Sequence, residues 1–250
     1  MPRMKNARSI FRFLIEAAGR GERTALVTIT AVIGRSSREP GTHMAVSETG
    51  TFRGSLSGGC VEAAVVAEAI RVIGQDRPES LRLGAGSPFI DIRLPCGGGL
   101  DLLIVPRPSI ETLRAAESRL LDRLPATIAL TGAGEMKLHM SDHATSRWLG
   151  SRFLASHRPD MRLFVLGHGA EVEAMARLGM AYGADVHVLS PDVVIVASMA
   201  ESGVSANWLK TPAPTSFLAA DRHSAVVMLF HDHDWESELL LQAMRQDAFF

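Results

Sequence analysis

The stretch Leu163–Asp192, LFVLGHGAEVEAMARLGMAYGADVHVLSPD, constrains the fold more than any other part of the chain. Arg162–Leu166 is an apolar run suited to a strand, and Gly167-His-Gly169 follows it as a turn. Glu171–Tyr182 carries helix formers and closes at Gly183, and Asp185–Leu189 reads as a second strand. Strand, glycine turn, helix and strand in that order make a βαβ unit, whose two strands lie parallel. Ala225–His231 (AVVMLFH) reads as a further buried strand, and Trp235–Gln246 as a helix. Pro191–Gly203 stays open: VVIVAS suits a strand, whereas Pro191 before Asp192 suits a helix start.

The first half has a different rhythm. Ile10–Ala18 with Arg12 and Glu16 is one amphipathic helix. Thr24–Ile33 (TALVTITAVI) is rich in β-branched residues and predicts a buried strand that runs into the loop Gly34–Gly41. His43–Val46 is a short strand, Glu48–Gly50 a turn, and Val61–Ile73 a helix ended by Gly74. Leu81–Leu83, Phe89–Leu94 and Leu100–Val105 are strand candidates, and Ile110–Leu124 is a helix stopped by Pro125. Ala126–Leu130 and Glu135–Met140 form a hairpin across Gly132-Ala-Gly134. Ser156-His-Arg-Pro159 is polar and reads as a linker. The fold class is therefore α/β: an N-terminal α/β domain over 1–156 and a Rossmann-like domain over 160–250.

Composition limits the function classes. A chain of 250 residues with 46% hydrophobic and 21% charged residues is ordinary globular protein. Its formal net charge of −1 gives no general attraction to nucleic acid or an anionic membrane. No run approaches the roughly 20 apolar residues of a membrane span. Two cysteines and no secretory signal point to the cytoplasm.

Two loops pair a thiol with glycines. Ser57-Gly58-Gly59-Cys60-Val-Glu62 lies at a strand-to-helix junction, where unpaired N–H groups and the helix dipole suit an anion. A thiol there should gain thiolate character, which suits a metal ligand or a sulfur carrier. A tight turn with Cys60 as a small buried hydrophobe explains the same spacing equally well. Cys96-Gly97-Gly98-Gly99 repeats the pairing, although a flexible hairpin would also use such glycines. In Gly34–Gly41, the hydroxyls of Ser36 and Ser37 and the guanidinium of Arg38 could hold phosphate or simply be solvated. Gly167 and Gly169 stand where a dinucleotide-binding turn has its first two glycines, but Val172 takes the third position. The acidic candidate is Asp192, displaced behind Ser190-Pro191, so NAD and NADP are expected to bind poorly. In His231-Asp-His-Asp234 a helix-capping aspartate is favoured over a metal site.

The stretches GRSSREPGTHM (34–44), GSLSGGCVE (54–62), LPCGGGLDLLI (94–104), LFVLGHGAEVEAMARLGMAYGADVHVLSPD (163–192) and VVMLFHDHDWE (226–236) together resemble the XdhC/CoxI family. Its members are accessory proteins of xanthine dehydrogenase and carbon monoxide dehydrogenase. The resemblance implies a chaperone rather than an enzyme. It would bind the molybdenum cofactor (molybdopterin or its dinucleotide form), support its sulfuration with a cysteine desulfurase, and deliver it to a molybdenum hydroxylase apo-enzyme. The implied cofactor-binding residues are Ser36, Ser37, Arg38, Ser57, Gly58, Gly59, Cys60, Glu62, Cys96, Gly97, Gly98, Gly167 and Gly169, with Cys60 and Cys96 as molybdenum contacts. The usual GSSPR of the family reads GRSSREPG here. The chain also stops at Phe250 where members continue, so an incomplete second domain and a homo-oligomer formed through its open sheet edge are expected. Two other readings remain: a nicotinamide-dependent oxidoreductase, and an assembly factor that holds no cofactor.

Overall fold

A computed structural model describes residues 7–59, 61–87, 97–140 and 145–248. Contacts divide the chain into two compact units, Pro2–Arg158 and Pro159–Phe250. The strand candidate Phe89–Leu94 lies outside the described residues.

The first unit contains α1 (Ala7–Gly19), β1 (Thr24–Ile33), β2 (His43–Ser47), β3 (Phe52–Gly54), α2 (Glu62–Gln75), β4 (Glu79–Gly84), β5 (Gly99–Pro106) and α3 (Ile110–Leu121). It continues with β6 (Ala126–Thr131), β7 (Met136–His139), β8 (Arg147–Leu149) and β9 (Arg152–His157). Five strands form one antiparallel sheet in the order β3-β2-β1-β5-β4, and four form a second in the order β7-β6-β9-β8. The uninterrupted apolar run of β1 follows from burial on both faces. Ala25, Val27 and Ile29 join Val65, Val72 and Leu102 on one side. Leu26 joins Phe11, Leu14 and Leu113 with the second sheet's Ile128 and Phe153 on the other. Each fully buried Leu or Phe contributes about 1.5–3 kcal/mol.

Two helix ends differ from the sequence expectation. Helix α2 passes through Gly74 and ends where Asp76 turns left-handed at φ 53°, donating its N–H to the Val72 carbonyl. Helix α3 stops at Leu121, short of Leu124, because Arg123 adopts φ 61°. Ser156 and His157, expected in a linker, are the last residues of β9.

The second unit contains β10 (Arg162–Gly167), α4 (Ala170–Tyr182), β11 (Asp185–Ser190), α5 (Val193–Glu201), β12 (Ser205–Trp208), β13 (Ser224–Leu229) and α6 (His233–Met244). Its four strands are all parallel, in the order β12-β11-β10-β13. Leu163, Val165 and Val188 meet Val172, Ala176, Ile195 and Met199 on one face. Phe164, Leu166 and Leu189 meet Leu239 and Ala243 of α6 on the other. Both faces are thus covered by helices, as parallel sheets require, and the unit is Rossmann-like. The open segment is a helix: Asp192 caps α5 by accepting from Val194 N at 2.8 Å. Close helix–strand packing exists, but at Gly179, where a Cβ would lie 2.7 Å from Leu163 and 2.9 Å from Val186. Among the described residues no helix is long and apolar enough to cross a membrane.

Gly167 ends β10 at φ 148°, and a Cβ there would lie 2.5 Å from the Leu229 carbonyl oxygen of β13. Gly167→Ala should therefore destabilise the second unit by about 1–3 kcal/mol. Hydrogen exchange followed peptide by peptide should show Arg162–Gly167 and Ser224–Leu229 opening earlier while Thr24–Ile33 keeps its protection. Unchanged protection in all three strands would contradict the packing argument.

Candidate functional site

The segment from Ser55 to Val61 wraps around one carboxylate. Glu62 is 7% exposed. Its Oε1 accepts from Ser55 Oγ (2.7 Å) and from the N–H groups of Leu56 (3.0 Å), Ser57 (2.9 Å) and Gly58 (3.2 Å). Its Oε2 accepts from Ser57 Oγ (2.8 Å) and from the N–H groups of Gly59 (2.8 Å) and Val61 (3.2 Å). Burial pushes the carboxyl up, but hydrogen bonds from Ser55 and Ser57 outweigh it and hold the group at about 2, below its ordinary 4.5. The N–H groups expected to stand unpaired for an external anion are therefore taken by the chain's own glutamate. Gly58 and Gly59 adopt φ 86° and 121°, which a side chain would resist. Open space surrounds the Cβ position of each.

The loop after β1 fastens to this segment, and the glycines before β5 pack against that loop. Arg38 Nε donates to the Ser55 carbonyl at 3.2 Å, and Ser37 Oγ donates to the Ser57 carbonyl at 3.5 Å. Ser36 Oγ accepts from Arg38 N at 3.1 Å, bracing the turn. Gly98 is buried, and a Cβ there would strike the carbonyl oxygens of Arg35 (2.4 Å) and Ile33 (2.9 Å). A Cβ on Gly34 would meet Gly98 Cα at 3.6 Å. Gly97 is exposed, with open space at its Cβ position. Thus three sequence motifs meet at one end of the five-stranded sheet. Cys60 and Cys96 lie outside the described residues.

Beside these loops lies a cleft of about 340 Å³, lined by Ser37, Arg38, Thr42, Ser55, His157 and Arg158, among others. A histidine pair that the sequence reading missed borders it. His43 Nε2 and His157 Nε2 share a hydrogen bond at 3.1 Å, and His43 Nδ1 shares one with Thr28 Oγ1 at 2.9 Å. Phe11 packs edge-on to His157, with ring centroids 5.3 Å apart. Burial, together with His157, pushes His43 well below its ordinary value, and burial pushes His157 down to about 4. Both rings are neutral at pH 7. The only clue in the sequence was the apolar setting of His43 within HMAV.

In the second unit, Gly167 and Gly169 stand at the β10–α4 turn, with Gly169 at φ 86°. Glu171 and Glu173 occupy the first turn of α4, and Glu171 Oε2 lies 2.9 Å from where a Gly169 Cβ would be. Those carboxylates offset the positive helix start. Asp192 is engaged in capping α5, and Asp232 caps α6 by accepting from Asp234 N at 3.0 Å. The rings of His168 and His231 lie 5.7 Å apart. No group of three or more metal-ligating side chains exists among the described residues.

An antiparallel α/β unit carrying three convergent glycine-rich loops, joined in sequence to a parallel βαβ unit, defines the class. The chain belongs to the XdhC and CoxI family, whose profile matches residues 17–84. It is similar to the molybdenum cofactor insertion chaperone PaoD of Escherichia coli strain K12. The two are 32% identical over 243 residues, spanning 97% of this chain and 70% of the relative. The fold is similar to a crystal structure described as a xanthine dehydrogenase from Bacillus halodurans. There the TM-score is 0.73 at 20% identity, covering 92% of this chain and 77% of that one.

Glu62→Gln keeps the volume but turns an NH2 group toward N–H donors, whichever way the amide is set. The variant should lose on the order of 3 kcal/mol of stability at pH 7, measured by urea denaturation. A loss below about 0.5 kcal/mol would mean the loop does not depend on the carboxylate.

The histidine pair sets a separate pH dependence. Because folding lowers both values, the unfolded chain binds more protons between about pH 4 and 6.5. The stability that neutral His157 contributes is complete above pH 6.5 and is lost as pH falls toward about 4, and His43 shifts in the same direction. Denaturation midpoints across this window should fall with acidity, and His157→Gln should flatten the slope. Parallel slopes in the two proteins would refute the assignment.

Proposed function

We propose that this protein is a molybdenum cofactor insertion chaperone, with no chemistry of its own, that receives the cofactor as cargo and delivers it to the apo-form of a molybdenum hydroxylase of the xanthine dehydrogenase type. The carrying observation is the convergence of the 34–41, 55–59 and 97–99 loops on one end of the first unit. The likeness to an insertion chaperone over 97% of the chain supports the same reading. The cargo is molybdopterin or its dinucleotide form, which brings a phosphate or pyrophosphate and a soft molybdenum–dithiolene centre. Thiolates are the protein ligands that suit such a centre, so Cys60 and Cys96 are assigned to it. Ser36, Ser37, Arg38, Gly97 and Gly98 form the surrounding surface. Ser57, Gly58, Gly59 and Glu62 act on this reading as a rigid frame that positions the loop. Sulfuration with a cysteine desulfurase as partner belongs to the same proposal. Gly167 and Gly169 are kept as a secondary contact for the cofactor. The acidic first turn of α4 and the capping role of Asp192 speak against tight NAD or NADP binding.

The full chain purified from a molybdate-fed host should carry molybdenum and a fluorescent pterin, and native mass spectrometry should show the added mass. Cys60→Ser should lower retained cofactor several-fold while the melting temperature barely moves, and bound cofactor should slow alkylation of Cys60. Protein free of molybdenum and pterin, or a low-micromolar Kd for NAD by calorimetry, would refute the reading.

A further inference from the structure

Among its described residues the glycine loop has spent its donors on Glu62. Five N–H groups and two hydroxyls between Ser55 and Val61 are directed at Glu62, so a phosphate brought to this unit needs donors elsewhere. The neighbouring cleft of about 340 Å³ supplies them. Small-molecule sites run from about 300 to 1,000 Å³, so this space accommodates a phosphorylated group and part of what it is attached to.

Arg38 is the principal donor. Its Nε is held by the Ser55 carbonyl at 3.2 Å and its Nη1 by the Ser37 carbonyl at 3.5 Å. Among the described residues no carboxylate pairs with it, and Nη2 has no partner. A guanidinium fixed by two neutral carbonyls keeps its full charge for an anion and loses little freedom on binding one. Arg158 lines the same cleft, as do the hydroxyl-bearing Ser37 and Thr42. The histidine pair adds no charge at pH 7, and the carboxylate among the lining residues, Glu39, is exposed. Ser55 ties the cleft to the glycine loop, since its carbonyl accepts from Arg38 while its hydroxyl donates to Glu62.

We propose that this cleft, with Arg38 as its main contact, is a binding site for a phosphate monoester or pyrophosphate group. Phosphate recognition follows from the cleft itself; that the phosphate is the molybdenum cofactor's own rests on the function proposed above.

The test is calorimetric titration of the full chain with inorganic pyrophosphate at fixed low ionic strength, with hydrogen exchange to locate the effect. Wild-type protein should bind and gain protection over residues 37–43 and 55–59. Arg38→Gln, which retains hydrogen-bonding capacity, should weaken binding roughly tenfold or more, the effect of one lost charge-assisted contact. Arg38→Lys keeps the charge and should recover part of the affinity, and Arg222→Gln in the other unit should match wild type. Thermal melts would show whether each variant folds. If Arg38→Gln does not fold, Arg38→Lys and the protection map still decide: wild-type affinity in the Arg38→Lys variant, or protection elsewhere, overturns the proposal. Absence of pyrophosphate binding to wild type overturns it too. Arg38-dependent binding in protein that retains no molybdenum or pterin would leave the cleft standing and remove the chaperone reading. Retained cofactor in wild type and Arg38→Gln alike, without pyrophosphate binding, would do the reverse.

Discussion

The first unit's site depends on the ion at Glu62. A carboxylate this buried would be costly were it not surrounded by donors, and the chain provides them from one short segment, Ser55 to Val61. The hydrogen bonds hold the group ionised and hold the loop in the left-handed glycine conformations that no other residue adopts cheaply. A helix start that could bind an external anion has been given an internal one. Among the described residues, what remains available there is the rim of the loop, not its donors.

That frame also orders its surroundings. Arg38 and Ser37 fasten to the carbonyls of the same segment, and Gly98 slips against Arg35 where any side chain would collide. The three loops are far apart in sequence, and they meet because β1 and β5 are paired neighbours in the sheet, with Ile33 opposite Gly99. Strand register thus brings the loop after β1 and the loop before β5 to one end. The neutral histidine pair beside them belongs to the same logic of dry, satisfied polar groups: two rings share one hydrogen bond, and Thr28 takes the other nitrogen of His43.

The second unit is the more legible of the two. Its strands β10 and β11 and helix α4 follow apolar runs punctuated by Gly167, Gly169 and Gly183, and β13 follows the apolar run Ala225–Phe230, so local pattern and tertiary packing agree. β12 and, in the first unit, β8 are not legible in the sequence because they are short and largely unburied and carry no alternating apolar signal. The segment after Pro191 needed the Asp192 cap to decide it. Val172 departs from the glycine of a dinucleotide-binding turn without loosening the fold, since Gly179 provides the close approach two turns later.

By itself the sequence determined the α/β class, the order of most elements, the family resemblance and the three loops worth watching, because hydrophobic period and glycine placement are local properties. It also marked Glu62, but as a residue of the cofactor site. Only the tertiary structure turned Glu62 into the loop's internal ligand, paired His43 with His157 across 114 positions of sequence, and left Arg38 facing a cleft with no carboxylate partner among the described residues. Those facts depend on which donors folding spends and which it leaves. Residue types and spacing do not record that, because a hydrogen-bond donor is free or occupied only once its neighbours in space are set.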